Sequence, residues 1–356
     1  MDFCNHLVSW YLENKRDLPW RKSKDPYWVW LSEIILQQTR VAQGSSYYAK
    51  FTKEFPTVFD LASAEEKRVL KLWQGLGYYS RARNLHFSAK YIVNELNGKF
   101  PESYQDLRLL KGVGDYTASA IASICYGEVK AVVDGNVYRV LSRFFGVETP
   151  INSSKGIKEF KELAQLVMYK EDSGLYNQAI MDFGAIQCKP QKPNCDRCPL
   201  QYKCVAFHQK KISLLPVKEK KIKIKKRYFN FVVLLSEEGN TKIVQRTGKG
   251  IWENLFQFPL IESGTSIEID TLLTHSELSP LLKKEDVVVQ LFNSKEWVHK
   301  LSHQHLYVKF WLFKGTFEEE PLIPWEEIED FAVPRIIHKF LEKFENPFLQ
   351  PISSKL

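Results

Sequence analysis

Four of the six cysteines fall in one short run, Cys188, Cys195, Cys198 and Cys204, spaced C-x6-C-x2-C-x5-C. No other feature restricts the fold so tightly, because so short a segment must wrap around whatever its sulfurs hold. The N-terminus, Met1-Asp2-Phe3-Cys4-Asn5-His6, lacks a basic stretch followed by an apolar one, so no secretory leader is read there. The expected location is the cytoplasm, at the nucleoid in a bacterium or in the nucleus of a eukaryote. In such a compartment clustered thiols hold metal rather than disulfides. Structural zinc usually shows two separated close pairs, or Cys with His. Here only one close pair exists, and the flanking loops are wide enough to enclose a larger object. Four thiolates are what a 4Fe-4S iron–sulfur cluster requires. That reading is favoured, with zinc and a metal-free loop as the alternatives. Cys4 and Cys125 lack such spacing and read as small buried hydrophobes.

The chain has 356 residues, which suggests two domains. Its 13% aromatic content excludes wholesale disorder, and no apolar run approaches the length of a membrane span. The net charge of +8 is concentrated: Lys210 to Arg227 holds eight Lys and one Arg against one Glu, a local +8 that leaves the remainder near zero. Such blocks bind polyanions or serve as solvated linkers. The hydrophobic pattern changes there. Before it, stripes such as Val137, Val140, Leu141 and Phe144 have helical spacing. After it come β-branched and aromatic runs, Tyr228 to Leu235, Lys242 to Gln245, Val287 to Leu291 and Leu306 to Phe313, then a final helix over Asp330 to Phe344. The reading is a multidomain chain: an all-α domain over 1–209 with the cysteine loop at 188–204, a basic linker over 210–227, and an α+β domain over 228–356.

Leu109-Leu-Lys-Gly-Val-Gly-Asp-Tyr-Thr-Ala-Ser119 marks one helix ending at Gly112 and another starting after Gly114. Glycines allow a tight turn, and the N–H groups at the new helix start can hold a phosphate without reading sequence. A plain helix connection is the alternative for this stretch alone. It is followed by Val133-Asp134-Gly135-Asn136, where Asp134 is placed to cap a helix, and then by the four cysteines.

This order resembles the helix-hairpin-helix DNA glycosylases that carry an iron–sulfur cluster, and within them the MutY family of adenine DNA glycosylases. The resemblance rests on Leu18-Pro-Trp-Arg21, Trp30-Leu-Ser-Glu-Ile-Ile-Leu-Gln-Gln-Thr39, Trp73 to Asn84, Val133 to Arg139 and Asn177 to Gly184. It is looser in the second domain, over Arg246 to Pro259 and Trp297 to Leu306. The resemblance implies hydrolysis of the N-glycosidic bond of adenine mispaired with 8-oxoguanine or guanine in duplex DNA, as part of base excision repair, by a monomer. The adenine must be flipped from the stack, and its sugar passes through an oxocarbenium-like state.

Two carboxylates carry the implied chemistry. Glu33 lies in a helical run among Trp30, Ile34, Ile35 and Leu36, surroundings that raise a carboxyl's pKa and keep a proton available. The resemblance makes it the acid, near adenine N7. It makes Asp134 the anion that stabilises the sugar cation, ionised by its capping bonds and oriented by Asn136 and Arg139. Tyr116 stands where related nicking enzymes carry a Schiff-base Lys; a phenol cannot form that imine, so a monofunctional enzyme is expected. By resemblance Trp20, Arg21, Leu36 and Gln178 line the adenine pocket, while Gln38, Thr39 and Tyr78 enter the duplex around the lesion. Arg81, Arg83 and Lys111 are candidate phosphate contacts, alongside Gly112 and Gly114.

The second domain resembles the MutT (Nudix) fold without its metal-binding G-x5-E-x7-R-E-x2-E-E helix, which implies a reader rather than a second enzyme. Ser302 and His303 match a Phe-Ser-His loop that contacts 8-oxoguanine in the family, with Leu301 replacing the aromatic. Lys111 replaces a usual Pro, and no Cys follows Cys204, which argues against a linker zinc site. Two competing readings conflict with the residues. An endonuclease-III-like glycosylase–lyase for oxidised pyrimidines would need Lys at 116 and no second domain. A non-catalytic DNA-binding iron–sulfur protein would lack Glu33 or Asp134.

Overall fold

The computed structural model describes residues 2–219, 224–276, 278, 287–317 and 321–348. The chain divides into two compact units, Met1–Ala64 with Arg81–Lys220, and Glu65–Ser80 with Lys221–Leu356. In chain order the helices are α1 (Asp2–Asn14), α2 (Pro26–Leu36), α3 (Val41–Glu54), α4 (Val58–Ser63), α5 (Glu66–Leu72), α6 (Ser80–Leu96), α7 (Tyr104–Leu107), α8 (Asp115–Tyr126), α9 (Gly135–Phe145), α10 (Ser154–Leu166), α11 (Ser173–Asp182) and α12 (Val205–His208). Of these, α5 belongs to the second unit. Residues 65–80, which the hydrophobic pattern groups with the helical domain, thus cluster with the C-terminal residues.

In the first unit, α2 starts cleanly because Asp25 accepts a hydrogen bond from the Tyr27 N–H and Pro26 occupies the first turn. It buries Tyr27, Val29, Trp30, Leu31, Ile34 and Ile35, so it is surrounded rather than amphipathic. The hairpin between α7 and α8 turns at Gly112, whose φ is +83°. A Cβ there would lie 2.7 Å from Asn84 Cβ, so both conformation and space require glycine. Gly114 has ordinary φ and open space around it. Of the two glycines, only Gly112 is held in the left-handed region. Behind α8 and α9 sits a core built from Phe3, Val137, Leu141, Phe160, Tyr176 and Phe183.

The second unit holds β1 (Lys225–Leu235), β2 (Asn240–Thr241), β3 (Val244–Gln245), β4 (Phe256–Gln257), β5 (Leu260–Ser263), α13 (Ile269–Leu273), β6 (Val288–Leu291), β7 (Trp297–Lys300), β8 (Gln304–Lys314), β9 (Ile323–Pro324) and α14 (Arg335–Leu341). The main sheet runs β5-β1-β8-β6, with β7 also paired to β8; β1 and β8 are parallel and the other pairs antiparallel. Strand alternation separates two cores. Phe229, Phe231, Val233, Val308 and Phe310 meet Ile336, Ile337 and Phe340 of α14, while Val232, Leu234, Trp311 and Phe313 meet Leu272 of α13. A register slip of one residue would exchange the two sets, so burial on both faces fixes the pairing. Trp73, fully buried, belongs to this unit together with Val69 and Leu70.

Two boundaries differ from the sequence reading. Strand β1 begins at Lys225, inside the expected linker, because it pairs with β8 from Lys225 opposite Gln304 onward. The linker residues 220–223 lie outside the described residues. The single helix expected over Asp330 to Phe344 is a 3₁₀ turn at Trp325–Asp330 followed by α14, because Pro334 lacks an N–H and disfavours helical backbone before it.

Candidate active site

One cavity of about 710 Å³ in the helical unit collects the residues expected to carry the chemistry and to line the adenine pocket. Its wall includes Glu33 from α2, Tyr116 from α8, and Asp134, Asn136 and Arg139 from the start of α9. Trp20, Arg21, Leu36, Thr39 and Gln178 complete the candidate set around it. The volume is within the usual range for a small-ligand pocket.

Glu33 is pushed up to about 7 by burial, helped by the nearby Asp134 charge, while Tyr116 and Arg21 pull it down. The Tyr116 hydroxyl lies against the Glu33 carboxyl and 3.2 Å from the Met181 sulfur. Asp134 caps α9: its Oδ1 accepts from the Asn136 and Val137 N–H groups, and its Oδ2 from Asn136 Nδ2, each at 2.8 Å. Burial raises the Asp134 carboxyl, and these three donors offset only part of that. Both carboxyls thus move upward, rather than apart as their environments suggested in the sequence. Asn136 Oδ1 in turn accepts from Arg139 Nη2 at 2.8 Å. Arg139 also donates to the Gly184 and Cys188 carbonyls, at 2.6 and 2.7 Å. Those carbonyls lie within and immediately after the π-helical turn Phe183–Gln187 that leads into the cysteine loop.

Several side chains are engaged otherwise than expected. Arg21, read as a base-edge donor, places both terminal nitrogens on Asp182, at 2.7 and 2.8 Å. Arg16 joins the same carboxylate, which is fully buried. Burial alone would raise Asp182; the two guanidinium groups outweigh it and hold it below the usual carboxylate range. Asp182 and Arg16 were missed in the sequence, although an acid within Ala179-Ile-Met-Asp-Phe183 signals a buried charge needing partners. Gln178 Oε1 accepts from Tyr11 OH at 2.7 Å, which leaves its amide Nε2 to face a ligand. Arg81 is not a phosphate contact: it is buried, and its Nη1 donates to the Ile34 and Ile35 carbonyls at 2.8 and 3.0 Å, closing the C-terminal end of α2.

Gln38 is exposed beside the cavity with φ +55°, and Tyr78 has φ +48°. Non-glycine residues seldom adopt such backbone, and they cluster at functional sites when they do. Tyr78, Ser302 and His303 belong to the second unit. There the Tyr78 hydroxyl and Ser302 Oγ are 2.8 Å apart, 224 positions apart in sequence.

Cys188, Cys195, Cys198 and Cys204 line one small cavity together with Pro193, Gln201 and Phe207. Among the described residues no group of three or more His, Cys, Asp or Glu side chains is placed to hold a metal ion. Four thiols around one space nonetheless form a donor set suited to a larger iron–sulfur centre. The buried Arg143 fastens this loop, donating to the Lys189 and Pro190 carbonyls at 2.8 and 3.1 Å and lying 3.5 Å from Cys188 Sγ.

Residues 31–166 match the HhH-GPD superfamily of base excision DNA repair proteins, and residues 230–343 match the NUDIX domain. The fold and its site therefore define a base-excision DNA glycosylase of the helix-hairpin-helix class joined to a NUDIX domain, the architecture expected from the sequence. An adenine DNA glycosylase of Buchnera aphidicola subsp. Schizaphis graminum is 34% identical, covering 96% of this chain and 99% of the relative. The adenine DNA glycosylase of Rattus norvegicus is 45% identical over 226 residues, 60% of this chain and 44% of that protein. The solved structure of a thermostable thymine-DNA glycosylase superposes with a TM-score of 0.54 at 29% identity, over 58% of this chain and 95% of the other. The chain belongs to the adenine DNA glycosylase family.

Proposed function

We propose that this glycosylase removes adenine mispaired with 8-oxoguanine or guanine in duplex DNA, acting as a monomer and without cleaving the strand. The observation that carries the reading is the presence of Glu33, protonated near neutrality, and Asp134 on the wall of one cavity. An adenine flipped into that cavity meets the Glu33 proton on its imidazole ring. Protonation lets the base depart with the bonding electrons of the N-glycosidic bond. The sugar is left as an oxocarbenium ion, and the Asp134 carboxylate, fixed by three N–H donors, stabilises it until water adds to the anomeric carbon and releases its proton. Asn136 and Arg139 hold Asp134 in place. Trp20 and Leu36 offer apolar faces to the base and Gln178 a free amide. Among the described residues the cavity wall contains no lysine, which supports a reaction without the imine of a lyase.

Cys188, Cys195, Cys198 and Cys204 would hold a 4Fe-4S cluster, whose thiolate bonds would cross-link the loop without entering the hydrolysis. Gln38, Thr39 and Tyr78 would enter the duplex, and Ser302 and His303 would read 8-oxoguanine. The test is single-turnover base release on duplexes holding a central 8-oxoguanine:A pair, with G:A, T:A and thymine-glycol:A as controls. Free adenine from the first two, with strand breaks only after alkali, is the expected result. Breaks at thymine glycol without alkali would overturn it.

A further inference from the structure

The Lys-rich stretch entering the C-terminal unit takes no part in the site above, and neither does the sheet face it joins. Strand pairing sets Lys226 and Tyr228 of β1 directly beside His305 and Tyr307 of β8, on one face. The β7 pairing adds Val298 opposite Tyr307 and Lys300 opposite His305. Further along, the same face is covered by α13 through Leu272. The boundary lies at Asn230 and Lys309, where the buried Lys309 Nζ donates to the Ile267 carbonyl at 2.7 Å and pairs with Glu268 at 3.0 Å.

Past that boundary the face is open. Tyr228 and Tyr307 are part-exposed, Lys226 and Lys300 are exposed, and Val298 is 46% exposed. The two tyrosine rings stack with centroids 5.1 Å apart and planes 22° apart, and Lys226 Nζ stands 5.9 Å from the Tyr307 centroid. Among the described residues, the neighbouring acids Glu262 and Glu268 are engaged. Glu262 alternates to the opposite face and bonds Arg227 at 2.5 Å, and Glu268 holds Lys309. The positive charge of Lys226 and Lys300 is thus not offset by those carboxylates.

Ring faces between cations, on adjacent central strands, are the chemistry of a platform for unpaired bases, with phosphates on the lysines and bases against the rings. The exposed aliphatic surface here is limited to Val298 and the adjoining Ile224, less than a protein-docking face presents. We propose that this open half of the sheet binds a single-stranded segment of DNA, separately from the catalytic cavity.

The test titrates a fluorescent single-stranded oligonucleotide against the full chain at several salt concentrations. Tyr228→Leu with Tyr307→Leu should weaken binding about tenfold, and Tyr228→Phe with Tyr307→Phe should restore it. Lys226→Gln with Lys300→Gln should reduce the slope of log affinity against log salt by about 1.4. Adenine release from an 8-oxoguanine:A duplex, measured at saturating enzyme on the same samples, should be unchanged. Unaltered single-strand affinity and slope in all variants would overturn the proposal, as would wild-type protein that does not bind the oligonucleotide. Loss of self-association with unchanged oligonucleotide binding would identify the face as a protein interface, and would overturn it equally. Absence of adenine release from wild type would sink the glycosylase reading without touching this one.

Discussion

Asn136 grips Asp134 at both oxygens, its backbone N–H on Oδ1 and its side-chain Nδ2 on Oδ2, each at 2.8 Å. The carboxylate proposed to stabilise the sugar cation is thereby fixed in direction before any substrate arrives. Asn136→Ala removes the side-chain donor and the acceptor of Arg139 while keeping the backbone bonds. A hydrogen bond to a charged group contributes about 1.5–3 kcal/mol, so adenine release should slow roughly ten- to hundredfold. A single-turnover rate within twofold of wild type would remove Asn136 from the positioning of Asp134.

Glu33 should behave as an acid whose proton is lost near neutrality. With its pKa at about 7, base release should fall as pH rises through that value. Glu33→Gln should keep mispair binding and lose release by at least about a hundredfold; a pH profile flat across 6 to 8 would exclude Glu33 as the acid.

The same carboxyl makes stability depend on pH. Its folded pKa lies above the ordinary 4.5, so its contribution is full below about 4.5 and is lost as pH rises through about 7. At pH 8 the ionised, buried group costs on the order of 3 kcal/mol. Glu33→Gln should therefore raise Tm at pH 8 and leave it nearly unchanged at pH 4. Equal Tm values at both pH values would show that Glu33 is not desolvated.

The proposed cluster predicts a yellow-brown purified protein whose absorbance Cys198→Ser abolishes, with weaker duplex binding. Retention of the full visible spectrum would exclude Cys198 as a ligand.

Ser302→Ala with His303→Ala should narrow the difference in adenine release between 8-oxoguanine:A and G:A duplexes. The bond between Ser302 and Tyr78 adds a second expectation: Ser302→Ala alone removes this partner of the Tyr78 hydroxyl and should shift the Tyr78 ultraviolet spectrum. If the rate difference persists in the double variant, the lesion is read elsewhere.

The candidate site was legible as a local arrangement because its residues carry local signals. Asp134 caps the helix it precedes, Gly112 turns where φ is positive, and Glu33 sits within an apolar helix. What escaped were partnerships across the chain. Nothing near Arg81 announces that it closes α2, nor does anything near Arg21 announce a tie to Asp182, because both bonds span distant residues. The start of β1 was hidden for a similar reason. Lys225, Lys226 and Arg227 read as a charged linker, and only pairing with β8 makes them strand.

Residues 65–80 have a consequence for how this gene can be cut and recombined. The polypeptide passes between its two compact units three times, after Ala64, after Ser80 and after Lys220. A fragment beginning at residue 221 would lack Trp73 and the helix α5 that it follows. A single crossover with a related gene near residue 220 would join a sheet from one parent to a Trp73 segment from the other. Exchange of the C-terminal unit between relatives therefore requires moving two separate stretches of coding sequence together.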